Sequence, residues 1–438
     1  MAEKHHVIVG AGTAGINAIR TLRQLGDKGP ITLVSAEPPY SRMVLPYFLE
    51  QRISDAHATT ATPVQLERWG VECRFGVRPK HLDAGGKTLH LDDGESLKFD
   101  NLLIATGSSA VRPPVPGADL PGVHSFWTMA DARAVHQHIR PEHHVVLIGA
   151  GFIAFTILDG LLQRAGKVTI VEVAPRILPR MVDETGAAIA AAWLKARGLT
   201  LLTNAKVTSL AAAGKQLTVN LAGSPAITAD LVLMATGIRP NLDWLADSGV
   251  EHGDEGIPVD NKLRTGAPGI YAAGDVAAGP NRVTGAYEVH AIETTAMEHG
   301  RVAGANMAGG HEVAYPGSVL MNIVSVAGLD MASFGTWDDE HAETIIGEAP
   351  ERHAYRKYVF QGERMVGAIM IGPGTQTWSE NDVGMIKGLV QSGQPLGAWK
   401  SWLQQRPFEI KKPYLASRTT RALMPDTILG APSISPRG

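Results

Sequence analysis

The feature that most constrains this chain is a unit written twice. His5-His6-Val7-Ile8-Val9-Gly10-Ala11-Gly12-Thr13-Ala14-Gly15 returns as His143-His144-Val145-Val146-Leu147-Ile148-Gly149-Ala150-Gly151-Phe152-Ile153-Ala154. Each copy is an apolar strand, a glycine-rich turn and an apolar helix, followed by a second strand, Ile31 to Ser35 in one and Val168 to Val171 in the other. That is a βαβ unit, and it commits both halves to parallel sheets. A second echo supports the repeat: Leu102-Leu103-Ile104-Ala105-Thr106-Gly107 recurs as Leu231-Val232-Leu233-Met234-Ala235-Thr236-Gly237. Each time an apolar strand runs into Ala-Thr-Gly, where glycine allows a tight turn beside a ligand.

The turn chemistry points to dinucleotides. In Gly10-x-Gly12-x-x-Gly15 the first glycine makes the turn, the second lets backbone approach a pyrophosphate, and the third lets helix pack on strand. The helix then presents its positive end to the phosphates. Glu37, following the second strand, can accept hydrogen bonds from both hydroxyls of an adenosine ribose. The second copy, Gly149-x-Gly151-x-x-Ala154, ends its own second strand in Glu172. A carboxylate there repels a 2′-phosphate and favours NAD(H) over NADP(H), with Arg176 and Arg180 pulling the other way.

At 438 residues the chain is too long for one core. The Pro-rich run from Arg112 to Gly117 marks a crossing between domains, and a third apolar strand, Gly269 to Asp275, follows the second unit. We expect an α/β fold with two Rossmann-like dinucleotide-binding domains, one inserted in the other, plus a C-terminal α+β domain. The expected bounds are 1–112 with 248–315 for the outer domain, 113–247 for the insert and 316–438 for the last. In that last part, Tyr355 to Phe360 and Arg364 to Ile371 read as a β-pair around Gly362, and a helix is expected from Ser379 toward Gln391. From Leu396 onward seven basic residues face Glu409 and Asp426, so this stretch is the basic part of a chain with net charge -3.

Other chemistries find little support. The overall charge points neither to nucleic acid nor to an anionic membrane. A single cysteine, Cys73, excludes a disulfide framework or a dithiol centre within the chain, and it reads as a buried inert thiol. A reducing cytoplasm fits, and the early first strand argues against an export signal. The apolar stretch from Val145 to Leu162 has the length of a membrane span but contains Gly149, Gly151, Asp159 and Gly160, and reads better as strand turning into helix. No Cys/His cluster has metal-ligand spacing, so no metal is expected.

With these motifs in place, the chain resembles the two-dinucleotide-binding flavoprotein superfamily of glutathione reductase, NADH oxidases, coenzyme A disulfide reductase and the NADH-dependent rubredoxin and ferredoxin reductases. The resemblance spans about residues 5 to 310, and its most diagnostic run is Ile270-Tyr271-Ala272-Ala273-Gly274-Asp275-Val276. It implies FAD in the outer domain and NAD(H) in the insert. It also implies that Asp275 holds the ribityl and pyrophosphate side of FAD, and that the helix around Ala296-x-x-x-Gly300-Arg301 begins near the flavin's pyrimidine end. Pro38-Pro39-Tyr40-Ser41-Arg42 resembles the loop that wraps FAD in the rubredoxin and ferredoxin reductase branch, which adds Arg42 to Thr106, Gly107 and Gly237 as cofactor-binding candidates. Phe152 falls where relatives carry an aromatic that covers the flavin, and ordinary helix packing would serve it equally.

Two departures from the family pattern shape the expected function. In the disulfide reductases and oxidases a redox cysteine opens a Cys-x-x-Pro-Tyr-like run; here it is Met43-Val44-Leu45-Pro46-Tyr47. A thioether forms neither thiolate nor mixed disulfide. A glutamate that relatives place near the nicotinamide is Thr156 here. The resemblance and these departures together imply an FAD-dependent NAD(P)H oxidoreductase without a redox-active cysteine. Phe152, Thr156, Met43 and Pro46 would line its reacting centre. Electrons would pass to a rubredoxin- or ferredoxin-like protein or an iron–sulfur subunit, the chain itself being a homo-oligomer or a subunit of a complex. The alternatives are an NADH oxidase or quinone reductase, and a non-catalytic flavin- or NAD-binding scaffold. Trp399, Trp402, Phe408 and Tyr414, interleaved with Lys400, Arg406, Lys411 and Lys412, suit either docking of an acidic partner or packing on the chain itself.

Overall fold

The computed structural model describes residues 3–310, 312–374 and 381–423. Two five-stranded parallel sheets carry the repeated units. The first has the order Ile270–Ala272, Asn101–Ile104, His6–Val9, Ile31–Ser35, Val71–Phe75. The second has the order Thr200–Leu202, Lys167–Val171, His144–Ile148, Leu231–Met234, Val123–Ser125. Their central strands read as unbroken apolar runs because both faces are covered: in the second sheet helices pack on one face and the antiparallel strands Val207–Ala213 and Gln216–Leu221 on the other, and Val7, Ile8, Leu102, Leu103, Val145, Val146 and Leu147 are completely buried. Each such side chain contributes roughly 1.5–3 kcal/mol of burial.

The likeness of the halves extends to side chains. The His5 ring bonds Thr32 Oγ1 at 2.9 Å, and the His144 ring bonds Thr169 Oγ1 at 2.9 Å. The His5 N–H donates to Asp100 and the His144 N–H to Asp230, both at 2.8 Å. The same aspartate therefore staples the start of the same strand in each copy.

Where the chain crosses between the two sheets, Ser108–Ala110 pairs antiparallel with Ile238–Pro240. The two Ala-Thr-Gly turns sit at this ribbon, Thr106 Oγ1 donating to Asn241 O at 2.9 Å and Thr236 Oγ1 to Val111 O at 2.7 Å. The described chain after residue 312 carries a five-stranded antiparallel sheet in the order Met321–Val326, Leu329–Gly335, Arg364–Pro373, Ala354–Gln361, Glu343–Ala349. It includes the β-pair read around Gly362, which turns with φ +62°. The helix that follows runs Asp382–Ser392, while Ser379 lies outside the described residues. The stretch from Val145 to Leu162 is strand and helix, and among the described residues no helix is long and apolar enough to cross a membrane.

One helix pair positions the site. Thr13–Gln24 and Glu293–Ala308 lie backbone against backbone: a Cβ on Gly300 would fall 2.2 Å from Ala14 O, and one on Gly304 2.6 Å from Ala18 O. The matching steps of four make the helices parallel. In that register Glu293 stands six residues ahead of the level of Thr13, a projection of about 9 Å.

Candidate functional site

Each glycine of the first turn has a separate geometric reason. Gly10 has φ +115°, and a Cβ there would lie 2.0 Å from Ala105 O; a Cβ on Gly15 would lie 2.0 Å from Gly10 O. Gly12 differs, because nothing lies within 4 Å of where its Cβ would be. It is the N-cap of Thr13–Gln24, and neither a capping side chain nor an acidic residue occupies that first turn. Free N–H groups and the positive helix end thus face open space, which suits a pyrophosphate. The second turn repeats the arrangement: Gly149 has φ +101° with Ala235 O 2.4 Å from a would-be Cβ, while Gly151 faces open space and caps Phe152–Thr156 with no side-chain bond.

Both openings belong to one cleft of about 2000 Å³. Single ligand pockets run to roughly 1,000 Å³, so the volume suits two dinucleotides. Gly10, Gly12, Glu37, Arg42, Thr106, Gly107, Gly149, Gly151, Glu172, Gly237 and Asp275 all line it, as do Met43, Pro46, Phe152 and Thr156. Gly15 and Ala154 stand behind it, as helix-packing positions; Ala154 is completely buried.

The polar residues are already oriented. Glu37 accepts from Tyr40 OH at 2.9 Å, with Arg42 at 3.8 Å. The Arg42 guanidinium donates to Ser108 O at 2.9 Å and lies over the Trp127 ring. Ser108 Oγ donates to Asp275 at 2.6 Å. Asp275 is presented by Gly274, whose φ of +76° requires glycine and whose N–H donates to His299 Nδ1 at 3.3 Å. Burial lowers the pKa of His299 to about 3, so the ring stays a neutral acceptor. Glu172 is more constrained than its sequence position suggests: its carboxylate accepts from Ala150 N at 2.6 Å and from Ala174 N at 2.7 Å, which leaves one face of each oxygen for a ribose hydroxyl.

Of the residues expected at the reacting centre, Met43 is 62% exposed in the turn Arg42–Val44, and Pro46 lies in the first turn of the short helix Leu45–Leu49. Phe152 is partly buried, and Thr156 Oγ1 donates back to Ile153 O at 2.8 Å. Four carboxylates that the sequence did not single out, Glu50, Asp159, Asp243 and Glu293, line the same cleft. Asp159, one turn after Thr156, accepts from the Ala327 N–H at 2.7 Å, and burial raises its pKa. Glu293 receives Ser41 Oγ at 2.9 Å from both oxygens. Its one sequence signal is its place three residues before the Ala296 motif.

Cys73 lies on the edge strand Val71–Phe75, away from the cleft lining, with its pKa raised by burial and by Glu72. Among the described residues no His/Cys/Asp/Glu group could hold a metal. The aromatic residues of the basic stretch pack on their own chain. Trp402 lies under Arg406 and Lys412 and beside Trp399, and Phe408 lies under Arg352 and Arg356. Lys400 pairs with Glu343 at 2.6 Å.

Comparison with known proteins adds the following. Residues 4–290 match the family pyridine nucleotide-disulphide oxidoreductase, and 321–380 match the rubredoxin NAD+ reductase C-terminal domain. The epsilon subunit of an NADH-dependent phenylglyoxylate dehydrogenase from Aromatoleum evansii is 32% identical over 364 residues, 82% of this chain and 86% of that one. A rubredoxin-NAD(+) reductase from Pseudomonas putida is 34% identical over 284 residues, 63% of this chain and 72% of that one. The covalent putidaredoxin reductase–putidaredoxin complex shares the fold, with a TM-score of 0.86 at 20% identity over 95% of this chain and 99% of that one.

Proposed function

Because the chain belongs to the pyridine nucleotide-disulphide oxidoreductase family and is an FAD-dependent NAD(P)H oxidoreductase, we propose that it exchanges electrons between NAD(H) and an iron–sulfur or rubredoxin-like partner, without a redox cysteine. The partner is either a small protein or a subunit of a larger complex. The observation that carries this reading is the single cleft onto which both glycine turns open, with a thioether, Met43, at its reacting end. Bound FAD supplies a ring that takes up a hydride and gives out electrons singly.

The rest is done by side chains. Residues 1–112 and 248–315 hold FAD: Gly12 and the helix end behind it take the pyrophosphate, Glu37 the adenosine ribose, and Asp275 the ribityl chain. Arg42, fixed by Ser108 and Trp127, neutralises the phosphates. Residues 113–247 hold NAD(H) with Gly151 and Glu172, and Phe152 and Thr156 shape the nicotinamide pocket and exclude water. Residues 316–438 form an interface. The names of the two relatives, one a dehydrogenase subunit and one a rubredoxin reductase, support the acceptor class.

The test is anaerobic stopped-flow mixing with NADH, followed by a rubredoxin or a [2Fe–2S] ferredoxin as probe acceptor. Rapid bleaching of the flavin band and single-electron reduction of the probe are expected. No bleaching would favour a scaffold, and turnover with quinone or oxygen alone would favour the oxidase alternative.

A further inference from the structure

Resting on the FAD site just proposed, we propose that Glu293 sets the potential of the bound flavin. Its carboxylate makes the flavin harder to reduce and tilts hydride exchange toward NADH.

Gly12 marks the pyrophosphate end. A Cβ on Gly274 would lie 3.4 Å from Ala14 Cβ and 3.6 Å from Ala296 Cβ, so Asp275 stands at the level of Ala296 on the projecting helix. Glu293 begins that helix three residues earlier, about 4.5 Å farther from the phosphates. A dinucleotide laid along this line reaches Glu293 with its ring end. Met43, Pro46 and Phe152 line the same cleft, and Ser41, which bonds Glu293, stands two residues before Met43.

Hydride transfer from NADH breaks the nicotinamide C4–H bond and makes an N5–H bond on the flavin. NADH is oxidised to NAD+, and the two electrons leave a negative charge on the ring's N1–C2=O edge. A bare helix start would stabilise that charge. Here the first helical residue is itself a partly buried carboxylate, so the helix end already faces an anion. Ser41, 7% exposed, fixes the carboxylate with one hydroxyl proton shared between its two oxygens. Among the described residues no cation pairs with it, and the adjacent Arg42 is committed to Ser108 and the Trp127 ring. A fixed, partly buried negative charge opposes the second one that reduction would bring.

The test is a spectroelectrochemical titration of the FAD-loaded protein. Glu293→Gln should favour the reduced flavin at least about tenfold, a rise of about 30 mV for a two-electron couple. Glu293→Leu should do the same, and Glu293→Asp should stay near wild type. An unchanged midpoint in both neutral variants overturns the proposal, and so does an equal rise in Glu293→Asp. Loss of FAD from both neutral variants also overturns it, because Glu293 would then hold the cofactor instead of tuning it. Wild-type protein that takes up no FAD would instead sink the functional reading on which this rests.

Discussion

At the scale of single residues, the two kinds of glycine in one motif separate folding from binding. The Cβ of Gly12→Val has no protein atom within 4 Å, so the variant should melt near wild type yet lose its flavin absorbance. Gly10→Ala puts a methyl group 2.0 Å from Ala105 O at a left-handed φ, and should lower the yield of folded protein itself. Thermal melts beside flavin spectra distinguish the two. The turn geometry behind both was legible in the sequence because a tight turn is a local object. The Ser41–Glu293 contact was not, since its partners are 252 positions apart and meet only once the two parallel helices are in register. His299 was invisible for the same reason, and it carries a pH signature. Burial lowers its folded pKa from 6.5 to about 3, so above pH 6.5 it costs nothing. As pH falls from about 6.5 towards 3 the unfolded chain takes up a proton that the folded chain refuses, and stability drops by up to about 1.4 kcal/mol per pH unit. His299→Gln should flatten that part of the melting profile.

At the scale of elements, one of the ties between the antiparallel sheet and the inserted unit is Asp183. Asp183 caps the helix Glu184–Lys195 by accepting from Gly186 N at 3.0 Å, and it also accepts from Tyr355 OH at 2.7 Å with Lys357 at 3.5 Å. Asp183→Ala removes a cap and strands a buried hydroxyl, a loss of about 2–4 kcal/mol that a melt would register. Asp183→Asn should lose less. The strands and helices of the repeats were readable from apolar runs and turn glycines. The role of the basic C-terminal elements was not, because charge interleaved with aromatic residues looks the same whether the rings face a partner or a neighbouring sheet. In the folded chain Trp402 and Phe408 lie under cations of their own chain, and Trp399 and Tyr414 pack on its core. Lys411→Glu with Lys412→Glu should therefore shift the melting temperature by a few degrees and leave NADH-to-flavin reduction unchanged.

At the scale of the whole molecule, the order of strands in the first sheet dictates an order of assembly. The second sheet is complete within one continuous stretch, from Val123 to Met234. The first is not: Ile270–Ala272 must pair beside Asn101–Ile104 after the entire second unit has been made. During synthesis the inserted unit can close while the outer one still lacks an edge, as domains emerging from a ribosome tend to do. The late strand leads directly into Gly274 and Asp275, so a growing chain lacks that side of the cleft until the inserted unit exists, and on the proposed assignment it has no complete flavin site before then. Pulse-chase experiments should find flavin captured last, after a protease-resistant core has formed. A yellow nascent chain is not expected; colour arrives only when the polypeptide has passed through its own insert and returned.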